Sequence, residues 1–431
     1  MDTLTIKLKQ HTPLIHFQHD QEGATLRASE VKPKLDKYIL TQLGEGDYEK
    51  GKAEAKSKGW LVGKGEHSAL DYKMRIEVSK PSERKEFLLA SYLKKDRILE
   101  LGNKGINAFS NTPFFAQEKE NAKVKGKKEW DNIGKKGLMW DDVSMNIFSL
   151  NTNIVLCLEK HISNFFICTN FGTRSDKGFG SFTVASINDK TDNVPNNDSG
   201  YIIAFKTFYE FCYKRRSSRN IFSEIKDDYQ RLKSGTNFGI YKKSLLFCYA
   251  VEKMKDNPRW EKRHFKQVMS PKLREEDSVL KANRNSNNQY NAPIANSDGK
   301  QNWRDLPNTY QYVYLRAMLG LAEQFEFQLK GKFDKAIVNV DGGEIKRFQS
   351  PLFFKIIDGN IYLLGNEPNA IFNKQFHFSY KVKKEGEEKS LPINNDELST
   401  PTSSEFSLSD FLRYAITEAE ESLRLDYQIL F

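Results

Sequence analysis

Leu4, Ile6 and Leu8 alternate with Thr5, Lys7 and Lys9, a period of two that predicts a strand with one covered face. Tyr72, Met74, Ile76 and Val78 alternate in the same way with Asp71, Lys73, Arg75 and Glu77. So do Phe376, Phe378, Tyr380 and Val382 with His377, Ser379 and Lys381. In "SPLFFKIIDGNIYLLG" the pair Asp358-Gly359 separates two β-prone runs and predicts a hairpin. Between these stretches the spacing turns helical. Ile221, Ile225, Tyr229 and Leu232 share one stripe, which Gly235 stops after the basic Arg231 and Lys233. Leu408, Phe411, Leu412, Ala415, Ile416, Ala419 and Leu423 form another and predict a C-terminal helix. One-face-apolar strands mixed with helices imply an α+β fold with antiparallel sheets packed under helices.

Breaks in the pattern divide the chain. Residues 117–137 read as a lysine-rich insertion, and 188–200 ("NDKTDNVPNNDSG") as a linker, which places one domain over 1–190 and another over 200–431. An asparagine-rich loop follows at 282–302. No repeat of 20 to 50 residues is present.

Composition narrows the class. With 431 residues, 38% hydrophobic, 12% aromatic and 30 phenylalanines, the chain can bury a large, ring-rich core. The net charge of +10 points to a polyanionic partner such as nucleic acid. Cys157, Cys168, Cys212 and Cys248 stand far apart, without a CxxC pair, and read as reduced thiols of a cytoplasmic protein. The opening "MDTLTIKLKQ" lacks the pattern of a signal peptide, and no apolar run has the length of a membrane span.

The densest chemistry lies in "NFGTRSDKGFGSFTVAS", residues 170–186. "KGFGSFTV" nearly spells the RNA-recognition-motif strand, whose aromatics stack on bases. Ser181 stands where the first phenylalanine is required, and the one-residue slip sends Phe182 to the other face of the strand. That reading fails on register. Two others stay open. Gly172, Gly178 and Gly180 permit positive φ, so their N–H groups could converge on a phosphate beside Arg174 and Lys177. Equally, the stretch could be a glycine-relaxed tight connection with solvated cations.

"FGTRSDKGFGSF" resembles the glycine-rich loop, G-x-x-x-x-x-G-x-G-S, of the RAMP superfamily of CRISPR-associated proteins. "TPLIHFQHDQEGATLRASEVKPKLDKYI" (12–39) resembles the opening of these proteins. "RFQSPLFFKIIDGNIYLLG" (347–365), with "YLRAMLGLAEQ" ahead of it, is similar to the large RAMP subunit that caps type III-B (Cmr) effector complexes. The stretch 12–39 departs from the family pattern at Pro33, Asp36 and Tyr38, and the helix is expected to begin later than in relatives, with Pro33 in its first turn.

The resemblance implies two ferredoxin-like (RRM-like, βαββαβ) RAMP modules with large insertions. It implies a non-catalytic, RNA-binding subunit acting in antiviral defence, with crRNA, target RNA and other RAMP subunits as partners, no cofactor and no bound metal. The residues it assigns to RNA are Arg27, Ser29, Lys32 and Lys34 near the first helix, and Gly172, Thr173, Arg174, Lys177, Gly178, Phe179 and Gly180 in the loop. The alternative is a RAMP endoribonuclease cutting target RNA or crRNA precursor. His16 would then act as a general acid–base, or Asp20 with a divalent metal, against an ordinary strand-end histidine and ordinary turn chemistry. Asp141-Asp142 is the other close acidic pair and reads as a loop or helix start. Trp130 and Trp140 beside the lysine-rich insertion could wedge against bases.

Overall fold

The structure is a computed structural model that describes residues 2–16, 24–63, 69–78, 83–89, 95–109, 135–192, 194–238, 240–254, 259–281, 312–343, 345 and 348–431. Asp20, Trp130 and the loop at 282–302 lie outside the described residues, as does most of the 117–137 insertion. Its last residues, from Lys135, already belong to a strand, Lys135–Trp140, paired antiparallel with Arg84–Leu89.

Two compact units divide the chain. One comprises Met1–Lys226, Phe353–Gly365 and Gln428–Phe431; the other comprises Asp227–Leu352 and Asn366–Tyr427. In the first unit, the alternation at the start of the chain becomes β1 (Asp2–Gln10), with Leu4, Ile6 and Leu8 buried. Helix α1 (Ala28–Leu43), β2 (Lys73–Val78), β3 (Val143–Ser149), α2 (Thr152–Cys168) and β4 (Phe182–Ile187) follow. The sheet order is β2-β3-β1-β4, and every pairing is antiparallel. Leu4 lies opposite Ile147 and Ile6 opposite Met145, so both strands turn their aliphatic side chains to one face. Val31, Leu35 and Ile39 from α1 and Leu158, Ile162 and Phe165 from α2 close over that face. Each such fully buried side chain contributes about 1.5–3 kcal/mol. Met74, Ile76 and Val78 are only half-buried because β2 is an edge strand.

α1 corrects one expectation. It begins at Ala28, so Pro33 lies inside it rather than in its first turn. The Arg27 carbonyl accepts from the N–H groups of Glu30 and Val31, and this first turn forms without needing Pro33. The proline removes a single ladder bond, the one that would have ended on Ser29.

A second sheet in this unit combines β5 (Phe211–Arg216), β6 (Leu352–Ile357), β7 (Asn360–Gly365) and β8 (Gln428–Ile429), in the order β6-β7-β5-β8. Helix α3 (Ile221–Lys233) follows β5 and carries the predicted stripe. The predicted hairpin joins β6 to β7, with φ of 49° at Asp358 and 75° at Gly359, as a type I′ turn requires. Numbered along the chain within each sheet, both sheets place their strands in the same spatial order: second, third, first, fourth.

The second unit is built on a sheet ordered Ser278–Leu280, Gln324–Gly331, Lys335–Asp341, Gln375–Lys384, Glu387–Ser390, with Asp396–Ser399 also pairing to Gln375–Lys384. Phe376, Phe378, Tyr380 and Val382 point inward as their alternation predicts. Phe378 meets Phe265 of helix Glu261–Glu275 with ring centroids 4.7 Å apart. The predicted C-terminal helix is shorter than its apolar stripe. α-Helix spans Leu408–Arg413 and then widens to a π turn, Tyr414–Glu418, in which the Ala419 N–H reaches back to the Tyr414 carbonyl. Leu423 stays buried but lies beyond the helix.

The four cysteines form no disulfide with one another, and Cys168, Cys212 and Cys248 are buried. Among the described residues, no helix is long and apolar enough to cross a membrane.

Candidate functional site

Three stretches far apart in sequence meet in the first unit: residues 11–16 after β1, the glycine loop, and β6. Thr12 gives its hydroxyl to the Gly178 carbonyl at 2.7 Å and takes the Ser181 N–H at 2.9 Å. Gly180 N–H donates to the Pro13 carbonyl, and Thr173 N–H donates to the Ile15 carbonyl. On the other side, Phe354 N–H donates to the Asp176 carbonyl, and the Ser181 hydroxyl donates to the Ile356 carbonyl at 2.6 Å. The loop is thus laced between the segment after β1 and the strand β6.

At the centre stands Lys355, fully buried in an otherwise apolar strand. Its ammonium donates to the carbonyls of Phe166 (2.7 Å), Thr169 (2.9 Å) and Phe182 (3.0 Å) and to the Asn170 side-chain oxygen (3.1 Å). Phe166 belongs to the last turn of α2, where exposed carbonyls attract a cation. Burial pushes the Lys355 pKa down to about 7. His11 packs nearby, with Nδ1 accepting the Asp358 N–H at 3.2 Å and Nε2 2.8 Å from the Thr183 hydroxyl. Burial first, and the Lys355 charge second, hold its pKa down at about 3, so the ring is neutral.

This packing corrects the expectation of an amide cradle. Gly172, Gly178 and Gly180 do adopt positive φ (74°, 85° and 62°). Their N–H groups, however, are bound to protein acceptors: Glu30 for Gly172 (2.8 Å), Ser175 for Gly178 and Pro13 for Gly180. A Cβ on Gly180 would stand 2.0 Å from the Phe171 carbonyl oxygen, so the glycine serves close backbone packing. Lys177 is buried with its ammonium 2.9 Å from Asp176, and Phe179 is buried and stacked on Phe222 at 4.1 Å. Phe182 is buried as well.

Glu30 bridges α1 to the loop, its carboxylate taking the Gly172 N–H at 2.8 Å and the Lys34 ammonium at 3.0 Å. Lys34 also reaches the Asn170 carbonyl at 3.2 Å. Next to this bridge in the chain, Ser29 and Thr173 are exposed, while Arg27 and Arg174 are half-exposed. Lys32 is turned inward, bound to Asp36 (2.8 Å) and the Leu70 carbonyl (2.9 Å) over the Tyr72 ring. His16 is buried, at 9% exposure. Asp141 and Asp142 form the turn between Lys135–Trp140 and β3, and Asp141 accepts the Glu83 N–H. The Trp140 indole N–H donates to the Ala24 carbonyl at 2.8 Å and so anchors the segment before α1. Among the described residues, no group of three or more His, Cys, Asp or Glu side chains could hold a metal ion.

Sequence reading missed Lys355, although a lysine within "LFFKII" was its signal. It also missed Glu224, 3% exposed, which caps the turn before α3 by accepting the N–H groups of Ser218 and Arg219, both at 3.1 Å.

Comparison with known proteins gives the following. A family profile described as the Cmr1 N-terminal domain matches residues 1–236, and one described as the Cmr1 C-terminal domain matches residues 241–429. No curated protein sequence matches. Among solved structures, Cmr1 from Pyrococcus furiosus in its apo form is 10% identical, with 84% of this chain and 88% of that chain covered at a TM-score of 0.36. A chain of the type III-B Cmr-beta complex bound to cognate target RNA and AMPPnP is 12% identical, with 87% and 94% covered at a TM-score of 0.35.

Proposed function

The chain belongs to the Cmr1 family, and on that premise we propose that it is a non-catalytic, RNA-binding subunit of a type III-B CRISPR (Cmr) effector complex. In this reading it engages crRNA and target RNA alongside other RAMP subunits in antiviral defence. The contacts run through the ribose-phosphate backbone, which gives affinity independent of sequence, as changeable guides require.

The observation that carries the reading is the Glu30–Gly172 bond. It sets the start of α1 against the glycine loop, which supports reading Arg27 and Ser29 on one side and Thr173 and Arg174 on the other as parts of one surface. In our reading these four residues touch RNA. Lys32, Lys34, Lys177, Gly178, Phe179 and Gly180 hold the loop and helix that present them.

We further read each four-stranded sheet as a ferredoxin-like module, one within residues 1–190 and the other within 200–431. The support is their shared strand order, second-third-first-fourth, with a helix after the first strand of each. The residues between β5 and β6 and between β7 and β8 would then be elaborations of the second module.

RNA binding measured against salt tests the reading. Replacing both Arg27 and Arg174 by Ala should weaken binding of single-stranded RNA and reduce the slope of log K against log salt by about 0.7 per lost phosphate contact. An unchanged slope in a folded double variant would overturn the assignment of this surface.

A further inference from the structure

The second unit holds an open cleft of about 290 Å³ where helix Glu261–Glu275 and the short strand Tyr312–Val313 meet the edge of strand Asp396–Ser399. His264, Tyr312, Gln375, Glu397, Leu398 and Ser399 line it. None of these residues enters the surface described above.

The cleft is built around an oriented histidine. Asp396, 9% exposed, has one carboxylate oxygen 2.5 Å from His264 Nε2 and receives the Tyr380 hydroxyl on the other. The carboxylate orients the ring by accepting from Nε2, and in the neutral imidazole this tautomer makes Nδ1 an acceptor. Among the described residues, nothing hydrogen-bonds to Nδ1. The Tyr312 ring lies 5.2 Å from the imidazole, tilted by 52°, with its hydroxyl held by Gln267 at 2.6 Å.

The strand edge adds main-chain groups. Thr400 N–H bonds inward to the Lys374 carbonyl, whereas the Ser399 carbonyl faces outward and accepts the Tyr314 N–H. In an antiparallel pair these directions alternate, so the N–H and C=O of Glu397 also face outward. Its carboxylate, gripped by His377 at 2.9 Å and by Gln375, stands on the same rim.

An extended strand offering a donor beside an acceptor, an aromatic face and two further acceptors matches the edge and face of a flat heterocycle. A carboxylate on the rim repels phosphate, so the base rather than the backbone enters. The surplus of acceptors selects a base that brings N–H groups of its own. Strand addition by a peptide fits poorly, because the Ser399 carbonyl already accepts the Tyr314 N–H, which breaks the run of outward acceptors that an added strand needs. We propose that this cleft seats one unpaired nucleobase bearing an exocyclic amino group. The inference rests on the RNA-binding reading above and adds a base-contacting site to it.

Titration of the full chain with AMP, CMP and UMP, followed through the ring resonances of isotope-labelled histidine, tests it. AMP and CMP should shift the His264 signals at millimolar concentration, with UMP binding at least about fivefold more weakly. Tyr312→Leu should weaken AMP binding about tenfold by removing the stacking face. The wild-type titration stands by itself should that variant fail to fold. UMP binding as tightly as AMP, His264 signals unmoved by any nucleotide, or signals moved only by a lysine-rich peptide would each overturn the proposal. Single-stranded RNA, run in parallel and scored by the salt slope, separates the two ideas. RNA bound without any nucleotide response removes the cleft alone, whereas a nucleotide response without RNA binding removes the RNA-subunit reading alone.

Discussion

The Lys355 ammonium lies 3.1 Å from the side-chain oxygen of Asn170, and the Asn170 amide in turn donates to the carbonyls of Ser175 (2.7 Å) and Phe354 (2.9 Å). One cation and one carboxamide thereby fix the root of the glycine loop to β6. Neither side chain has a bulk-water substitute at this depth, so the pair sets the loop's position through hydrogen bonds that must all be made together.

Lys355→Met keeps the length of the side chain and removes its charge, leaving three carbonyls and the Asn170 oxygen without their shared donor. Orphaned buried acceptors cost about 1–3 kcal/mol each, partly relieved by relaxation, so we expect a net loss of about 3 kcal/mol in urea unfolding. A change below about 0.5 kcal/mol would contradict this account. The proton adds a second signature. The folded pKa, about 7, lies below the unfolded value of 10.5, so the unfolded chain binds more protons across that interval. Wild type should therefore gain stability relative to the Met variant as pH rises from 7 to 9, by at most about 1.4 kcal/mol per unit.

Gly180 and Gly343 share a left-handed backbone, φ 62° and 60°, but differ in surroundings. A Cβ at Gly343 meets nothing within 4 Å, whereas at Gly180 it would stand 2.0 Å from the Phe171 oxygen. Gly343→Ala should cost about 1 kcal/mol from backbone strain alone. Gly180→Ala should cost about 3 kcal/mol or more, since backbone must move. Equal thermal shifts for the two would mean that the loop yields easily.

His11 predicts an acid-side weakness. Its folded pKa, about 3, lies below the unfolded value of 6.5, so only the unfolded chain takes up a proton between these values. Stability from this group is present above pH 6.5 and drains as pH falls, by about 2 kcal/mol between pH 7 and pH 5. His11→Asn should flatten that part of the pH–stability curve, as read by denaturant midpoints. A curve identical to wild type would show that other groups govern the acid limb.

Glu30→Gln keeps a side-chain oxygen for the Gly172 N–H and removes one negative charge from the proposed RNA surface. We expect unchanged thermal stability within about 0.5 kcal/mol and RNA affinity raised about two- to fivefold at low salt, the gain fading as salt is added. Weaker RNA binding at unchanged stability would mean that the carboxylate itself contacts the ligand.

Much of the architecture was legible because its strands are wetted on one side. Leu4, Ile6 and Leu8, and likewise Phe376 to Val382, alternate since polar partners face solvent, and the Asp358-Gly359 turn follows from the positive φ its residues tolerate. The start of α1 was misread because Pro33 was taken as a barrier, whereas its cost is one backbone bond that packing of Val31, Leu35 and Ile39 readily offsets. The convergence of Thr12, Ser181 and Ile356 could not be read locally, for a hydrogen bond between positions 175 apart leaves no periodic trace. The same holds for His264 and Asp396, 132 positions apart, each unremarkable in its own segment.

The first unit recruits Phe353–Gly365 only after the chain has passed through Asp227–Leu352. On a ribosome, the segment bearing Asn170 emerges long before Lys355, which follows 185 positions later. Until then the nascent chain carries a finished β1 and α2 beside a glycine loop whose carbonyls lack their cation and whose phenylalanines lack cover. Such late closure of a long-range contact slows folding and lengthens the exposure of sticky intermediates. Production of this protein should accordingly depend on chaperone supply, and halting translation before residue 353 should yield a fragment destined for degradation.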